Sequence, residues 1–271
     1  MSAILRSLIA LPLLLLAGGS CSFADELYRA QTIVTGTGEA NRVEALGSLL
    51  EEVLVKVSGA QRLAGDPRLA QFKAKAKELV GGYSYHDQMS GIPIHDEQGT
   101  RDRPYDLTVD FDPAKTADTL KQLGLKPWPA PRPTLAVFAG LKQGLNSYVI
   151  AADGDRGADQ RASLTTTAAK RGVPVVLPST DALRRSGADA EKLARATPAS
   201  LAGAPDSRSS DAILIGHLSW NDRKLVWDAR WRMEFGGKPH SWRLLVPTYD
   251  EAFRRGIGGA AQLLSGNGEP K

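Results

Sequence analysis

The chain reads as a mixed α/β protein in two parts. An α+β amino-terminal unit with the order β-α-α-β-β-α precedes an α/β unit that ends in an antiparallel, tryptophan-rich meander and a carboxy-terminal helix. Three observations predict this. The segment Lys126-Pro127-Trp128-Pro129-Ala130-Pro131-Arg132-Pro133 holds four prolines in eight residues, which continue neither a helix nor a central strand, and marks a linker over 127–133. Before it, Val43, Leu46, Leu50, Val53 and Val57 recur at helical spacing between strand-like runs. After it, Leu225, Trp227, Ala229, Trp231, Met233 and Phe235 alternate with Val226, Asp228, Arg230, Arg232 and Glu234, a strand with one apolar and one charged face.

In the first unit, 25–126, the β-branched run Tyr28–Thr35 predicts a strand, and Gly36-Thr37-Gly38 turns it into the periodic helix, which stops at Gly59. A second helix is expected from Pro67 to Val80, ended by Gly81-Gly82. Tyr83–Met89 and Tyr105–Phe111 read as paired strands, and Pro113 opens a helix up to Gly124. In the second unit, 134–265, apolar strands at Thr134–Leu141 and Tyr148–Ala152, a helix over Asp159–Arg171 and a short strand at Val173–Leu177 make a βαβ-like unit. The weakly patterned stretch Ser179–Ser210 predicts short helices with loops. Ala212–Leu218, apolar on both faces, predicts an internal strand, followed by the hairpin of Leu225–Phe235 and Ser241–Val246 across Gly236-Gly237. Phe253, Ile257, Ala261 and Leu264 give the last helix its stripe, and 266–271 is expected to be a flexible tail.

Composition narrows the function classes. The chain has 271 residues, 42% hydrophobic and 24% charged, with 34 basic against 30 acidic residues and a formal net charge of +4. The signs are interspersed, so no basic stripe marks a nucleic-acid interface. At the amino terminus, Arg6, the apolar run Leu8–Ala17 and the small-x-small triplet Ser22-Phe23-Ala24 form a secretory leader over 1–24, too short to span a bilayer as a helix. Cleavage after Ala24 removes Cys21, the sole cysteine, and with it disulfides, thiol chemistry and cysteine-ligated zinc. Gly18 stands where a lipoprotein signal carries a branched aliphatic residue, so lipid anchoring through Cys21 is not expected.

Chemical constellations are sparse. Asp106, Asp110 and Asp112 share one strand face, as an acid/base pair or cation site would require, although a solvated strand face with Asp-Pro turn chemistry is the favoured explanation. His217, near Asp211 and Ser219, is a candidate base or a hydrogen-bonded structural histidine. His86-Asp87 and His95-Asp96-Glu97 lack metal-site spacing, and the Gly36–Asn41 turn lacks the last glycine of a dinucleotide loop. No cofactor and no metal are expected.

Trp128 is either a ligand-stacking residue in a cleft between units or the anchor of the linker. Trp227, Trp231 and Trp242 suggest a platform for a sugar or peptidoglycan strand, with Arg230 and Arg232 gripping an anion. Alternation puts those arginines on the opposite face from the tryptophans, which favours an aromatic core under a solvated charged face.

Leu54–Gly59, Tyr83-Ser84-Tyr85, Val109–Pro113, Leu125–Trp128 with Arg132-Pro133, Arg171–Pro174 with Leu177-Pro178, and Ala212–Gly216 before a tryptophan-rich hairpin resemble, in this order, the uncharacterised bacterial domain-of-unknown-function family 2066. The resemblance implies an exported protein of a Gram-negative bacterium, located in the periplasm, and carries over no catalytic residue. More loosely, the order of the second unit is similar to envelope assembly modules such as the TolB amino-terminal domain and curli-secretion lipoproteins, which bind partners. The expected role is binding or scaffolding of a cell-envelope component, with an envelope protein as partner. The alternative is a hydrolase acting through Asp106, Asp110 and His217, or a small-molecule binder, on cell-wall or anionic ligands.

Overall fold

The computed structural model describes residues 26–92, 95–96, 99–100, 103–204 and 207–270. The leader and Cys21 lie outside these residues, as do Glu97 and the side chains of His95 and Asp96. The elements make a mixed α/β fold. In chain order they are β1 (Arg29–Thr35), α1 (Glu39–Ser58), α2 (Ala70–Lys73), β2 (Val80–Asp87), β3 (His95–Asp96), β4 (Gly99–Thr100), β5 (Pro104–Phe111) and α3 (Pro113–Gln122). There follow β6 (Leu135–Gln143), β7 (Asn146–Val149), α4 (Ala158–Lys170), β8 (Val175–Val176), α5 (Thr180–Ser186), α6 (Ala190–Arg195) and α7 (Pro198–Leu201). The chain ends with β9 (Ala212–Asn221), β10 (Val226–Phe235), β11 (Lys238–Val246) and α8 (Tyr249–Leu264).

The first core lies between α1 and a three-stranded sheet of order β1-β5-β2, antiparallel throughout. Leu46, Leu50, Val53, Leu54 and Val57 of α1 are buried against it, with Leu107, Val109 and Phe111 from the central strand. Val43, expected in this stripe, is 44% exposed because the buried positions begin one turn later, at Leu46. Gly59 ends α1 with φ +71, the left-handed cap that only glycine takes without strain. Asp112 caps α3 by accepting from the Lys115 N–H at 2.9 Å.

One expected helix is absent. Residues 67–80 form a 3-10 turn at Pro67–Leu69, the single turn α2 and a second 3-10 turn at Ala76–Leu79. These bury Leu69, Ala76 and Leu79, apolar spacing that a continuous helix would share. Gly81-Gly82 does not end a helix; both lie in β2, where the pairing with β5 slips between Val80 and Gly82.

The second core lies on a six-stranded sheet of order β11-β10-β9-β6-β7, with β8 also paired to β6. β6 runs parallel to β8 and β9, and β9, β10 and β11 form the antiparallel meander. Helices α4 and α8 pack on each other over one face, and α6 and α7 cover Phe138 and Ile215 on the other. Trp227, Trp231, Met233 and Trp242 are all buried on the α4/α8 side, as alternation requires.

Trp231 sets the spacing of this layer. Its ring is seated between Gly216, its partner across β9, and Gly256 of α8. A Cβ built at Gly216 would lie 2.5 Å from the ring, and one at Gly256 2.2 Å, so both must be glycine for the helix to reach the sheet. Gly258 receives Gln61 and Gly259 receives Trp242 in the same way.

The two cores meet where Trp128 donates its N–H to the Val57 carbonyl at 2.8 Å. Arg132 donates to the carbonyls of Val57, Trp128, Arg171 and Gly172 at 2.9 to 3.2 Å. Residues 266–270, expected to be flexible, are held: Asn267 Nδ2 donates to the Ser58 carbonyl, Arg62 to the Asn267 carbonyl and Gln262 to the Glu269 carbonyl.

Two outcomes are expected from equilibrium urea unfolding. Gly256→Ala should cost about 3 kcal/mol by overpacking against Trp231, whereas Gly203→Ala, whose Cβ meets nothing within 4 Å, should be nearly neutral. Arg132→Ala should cost about 3 kcal/mol or more, because it strands several inward-facing carbonyls.

Candidate functional site

A cleft of about 520 Å³ opens at the carboxyl ends of the parallel strands β6 and β9. Parallel sheets place their ligand crevices at this end, where the chain leaves the strands for the following elements. Four rings line it. Trp220, next to last in β9, lies across from Trp227 on β10, ring centroids 5.6 Å apart and edge to face. Tyr249, first residue of α8, meets Trp227 at 6.3 Å. Tyr148 comes from β7, folded back by the β6–β7 hairpin, and its ring lies against Gly157, where a Cβ would come within 2.6 Å.

The polar groups of the cleft come mainly from helix starts and the hairpin. Arg156 lies 5.0 Å over the Tyr148 ring and donates to the Ser147 carbonyl at 2.9 Å. Gln160 faces the cleft from the first turn of α4, and Gln143 and Asn146 from the hairpin. Thr248 caps α8, accepting from the Glu251 N–H at 3.2 Å, and Asp250 accepts from the Ser163 hydroxyl. Burial pushes the Tyr148 phenol above its ordinary range against the pull of Arg156. The Tyr249 phenol is likewise raised by burial and by Asp250. Both therefore stay protonated at neutral pH. The cleft offers apolar ring surface, neutral donors and acceptors, one cation and one carboxylate already held by Ser163, a set suited to holding a ligand.

The residues singled out from sequence are scattered. Asp106 and Asp110 lie on the outer face of β5. Asp110 is bound by Arg29 at 2.7 Å, and Asp106 accepts from Gln88 at 2.7 Å with His86 at 3.5 Å. Asp112 is the cap of α3, and Asp87 pairs with Arg103 at 3.1 Å. His217 stands on β9 in the other sheet, so the three residues of the hydrolase reading do not share a pocket. Among the described residues, no group of three or more His, Cys, Asp or Glu side chains could hold a metal ion.

Trp128 is the linker's anchor, with Arg132 stacked 4.3 Å over its ring. Arg230 is exposed beside Asp228 at 3.7 Å, while Arg232 donates to the Leu193 carbonyl at the end of α6. Both lie on the opposite face of the sheet from the tryptophans, so the two sets do not share a pocket. The Gly36–Asn41 turn leads into α1 through the N-cap Gly38, which has no side chain to cap the helix, and Glu39 in the first turn pairs with Lys77. Sequence reasoning missed Trp220, Tyr148, Tyr249 and Arg156 as a group, because they stand on four separate segments.

Residues 23–129 match a family model described as a domain of unknown function (DUF8605). This stretch covers the first core and reaches the anchoring Trp128; the aromatic cleft lies beyond it. No curated protein matches the chain, and no solved structure does. Among the described residues no helix is long and apolar enough to cross a membrane.

Burial, then Arg230 and Arg232, hold the His217 imidazole below its ordinary value of 6.5. A histidine depressed in the fold favours its neutral form, so its contribution is intact above 6.5 and is lost as pH falls through the folded value. An NMR titration should place its midpoint below 6.5, and Arg230→Gln should raise it.

Proposed function

We propose that this chain is a non-catalytic binding module of the bacterial cell envelope, with two units joined at residues 127–133, and that it takes its ligand in the aromatic cleft. The leader read over residues 1–24 and the resemblance to family 2066 support export to the periplasm of a Gram-negative bacterium. The observation that carries the binding role is the meeting of four aromatic rings with the first turns of α4 and α8 at the carboxyl ends of β6 and β9. Aromatic faces suit the C–H surface of a sugar ring. Gln143, Asn146 and Gln160 suit its hydroxyls, and Arg156, beside the positive end of α4, suits an acidic substituent. The ligand class is therefore an acidic glycan of the cell wall, held without turnover. The hydrolase reading loses its support with the separation of His217 from Asp106 and Asp110.

The test is a fluorescence titration of the mature protein with soluble peptidoglycan fragments. Binding should alter tryptophan emission. Trp220→Ala should weaken it at least about tenfold, the loss of one stacking ring, and Arg156→Gln should weaken acidic fragments more than neutral ones. Unchanged emission in the wild type, or equal affinity in Trp220→Ala, rejects the cleft as the site. Release of shortened glycan would reject the non-catalytic reading.

A further inference from the structure

We propose that a second cavity, walled by α1 and α4 beside the contact between the two cores, binds a free small oxyanion of carboxylate or phosphate size, with Arg171 as its principal ligand. The cavity measures about 270 Å³, and Arg171 and Lys170 enter it from the end of α4, Arg254 from α8, and Glu51 and Glu52 from α1. Arg171 is 6% exposed. Its Nε is sealed from solvent and unpartnered, and among the described residues its guanidinium has no hydrogen bond to the protein and no carboxylate within 4 Å.

A buried cation is costly unless something pairs with it. Arg132, the other deeply buried arginine nearby, shows how this chain meets that demand, with four carbonyls around its guanidinium. Arg171 has no such cage; it has a cavity. The carboxylates that share the cavity are already committed. Glu51 accepts from Lys73 and from the Gly65 N–H, and Glu52 faces Lys170 at 3.6 Å. Arg254 also lines the cavity and is itself paired with Glu251, which leaves Arg171, among the described residues, as the unpartnered cation there. The Thr167 hydroxyl completes the wall as a neutral donor. The planar fork of an arginine matches two oxygens of a carboxylate or phosphate, which chloride cannot offer.

The test compares thermal unfolding of the mature protein in inorganic phosphate, in acetate and in chloride at equal ionic strength, with calorimetric titration of phosphate alongside. The wild type should gain about 3–5 °C in Tm for each tenfold rise of the bound anion above its dissociation constant. Arg171→Met should remove the response while melting no lower than the wild type in chloride, because an apolar side chain of similar length relieves an unpaired buried charge. Lys170→Gln, at a half-exposed position, should fold normally and weaken phosphate several-fold in the calorimeter. A wild-type shift no larger in phosphate or acetate than in chloride, or an equal shift in Arg171→Met, overturns the proposal. Should Arg171→Met fail to fold, either unaltered phosphate affinity in Lys170→Gln or the absence of binding heat in the wild type does the same. The glycan titration at the aromatic cleft is unaffected by either outcome.

Discussion

The packing of the two cores depends on one buried guanidinium. Arg132 is 5% exposed and, among the described residues, has no carboxylate partner; its charge is carried by carbonyls from the end of α1, residue Trp128 and the end of α4. Helix carboxyl ends concentrate unpaired carbonyls and the negative end of the helix dipole, so two such ends converging on one cation substitute for an ion pair. Burial still pushes its pKa down to about 10, which leaves it charged at neutral pH. Gly172 takes φ +60 beneath it, and a Cβ there would lie 2.6 Å from the guanidinium. The Trp128 ring closes the other side. Moving either helix end would strand carbonyls on one and expose the charge of the other.

Much of the layer order was legible in the sequence because it rests on period. The α1 stripe, the alternating β10 strand and the apolar Ala212–Leu218 run each bury one predictable face, and tertiary packing agrees with local pattern. The departures have physical causes. Residues 67–80 carry helical spacing, yet two 3-10 turns bury the same side chains in a shorter path. Gly81-Gly82 reads as a helix stop, but a strand accepts glycine where its pairing slips. The tail looked polar enough to be free, and its backbone carbonyls found Arg62 and Gln262. Sites were less legible. Arg132 carries no motif beyond a proline neighbour, and its role exists only because residues 75 and 40 positions away in sequence end helices at the same point.

The tryptophans of the meander divide into two tasks. Trp231 is fully buried and works as a spacer, since Gly216 and Gly256 leave room for its ring and nothing else. Trp227 is the link between core and cleft: it touches Trp220 on one side and Tyr249 on the other, and Tyr249 meets Phe253, which in turn meets Trp231. A continuous series of ring contacts, edge to face except for the tilted Tyr249–Phe253 pair, therefore runs from the solvent-facing cleft to the center of the sheet layer. Such contacts hold rings at fixed angles, which keeps the cleft preformed and lowers the ordering cost of binding. The period-two alternation that identified the apolar face could not separate these tasks, because both lie on that face.

Helices α4 and α8 join the two proposed sites. The start of α4 supplies Gln160 to the cleft and its end supplies Lys170, next to Arg171, to the anion cavity, while α8 begins at the cleft with Tyr249 and reaches the cavity with Arg254. The two helices pack against each other between these sites. The glycine seats on α8 set it closely on the sheet: Gly256 receives Trp231 and Gly259 receives Trp242. By linkage, any change of anion affinity produced by the glycan must be matched by an equal change of glycan affinity produced by the anion. The end of α4 is also one of the two helix ends clamped by Arg132, so the joint between the cores and the helix shared by the two proposed sites rest on the same few carbonyls.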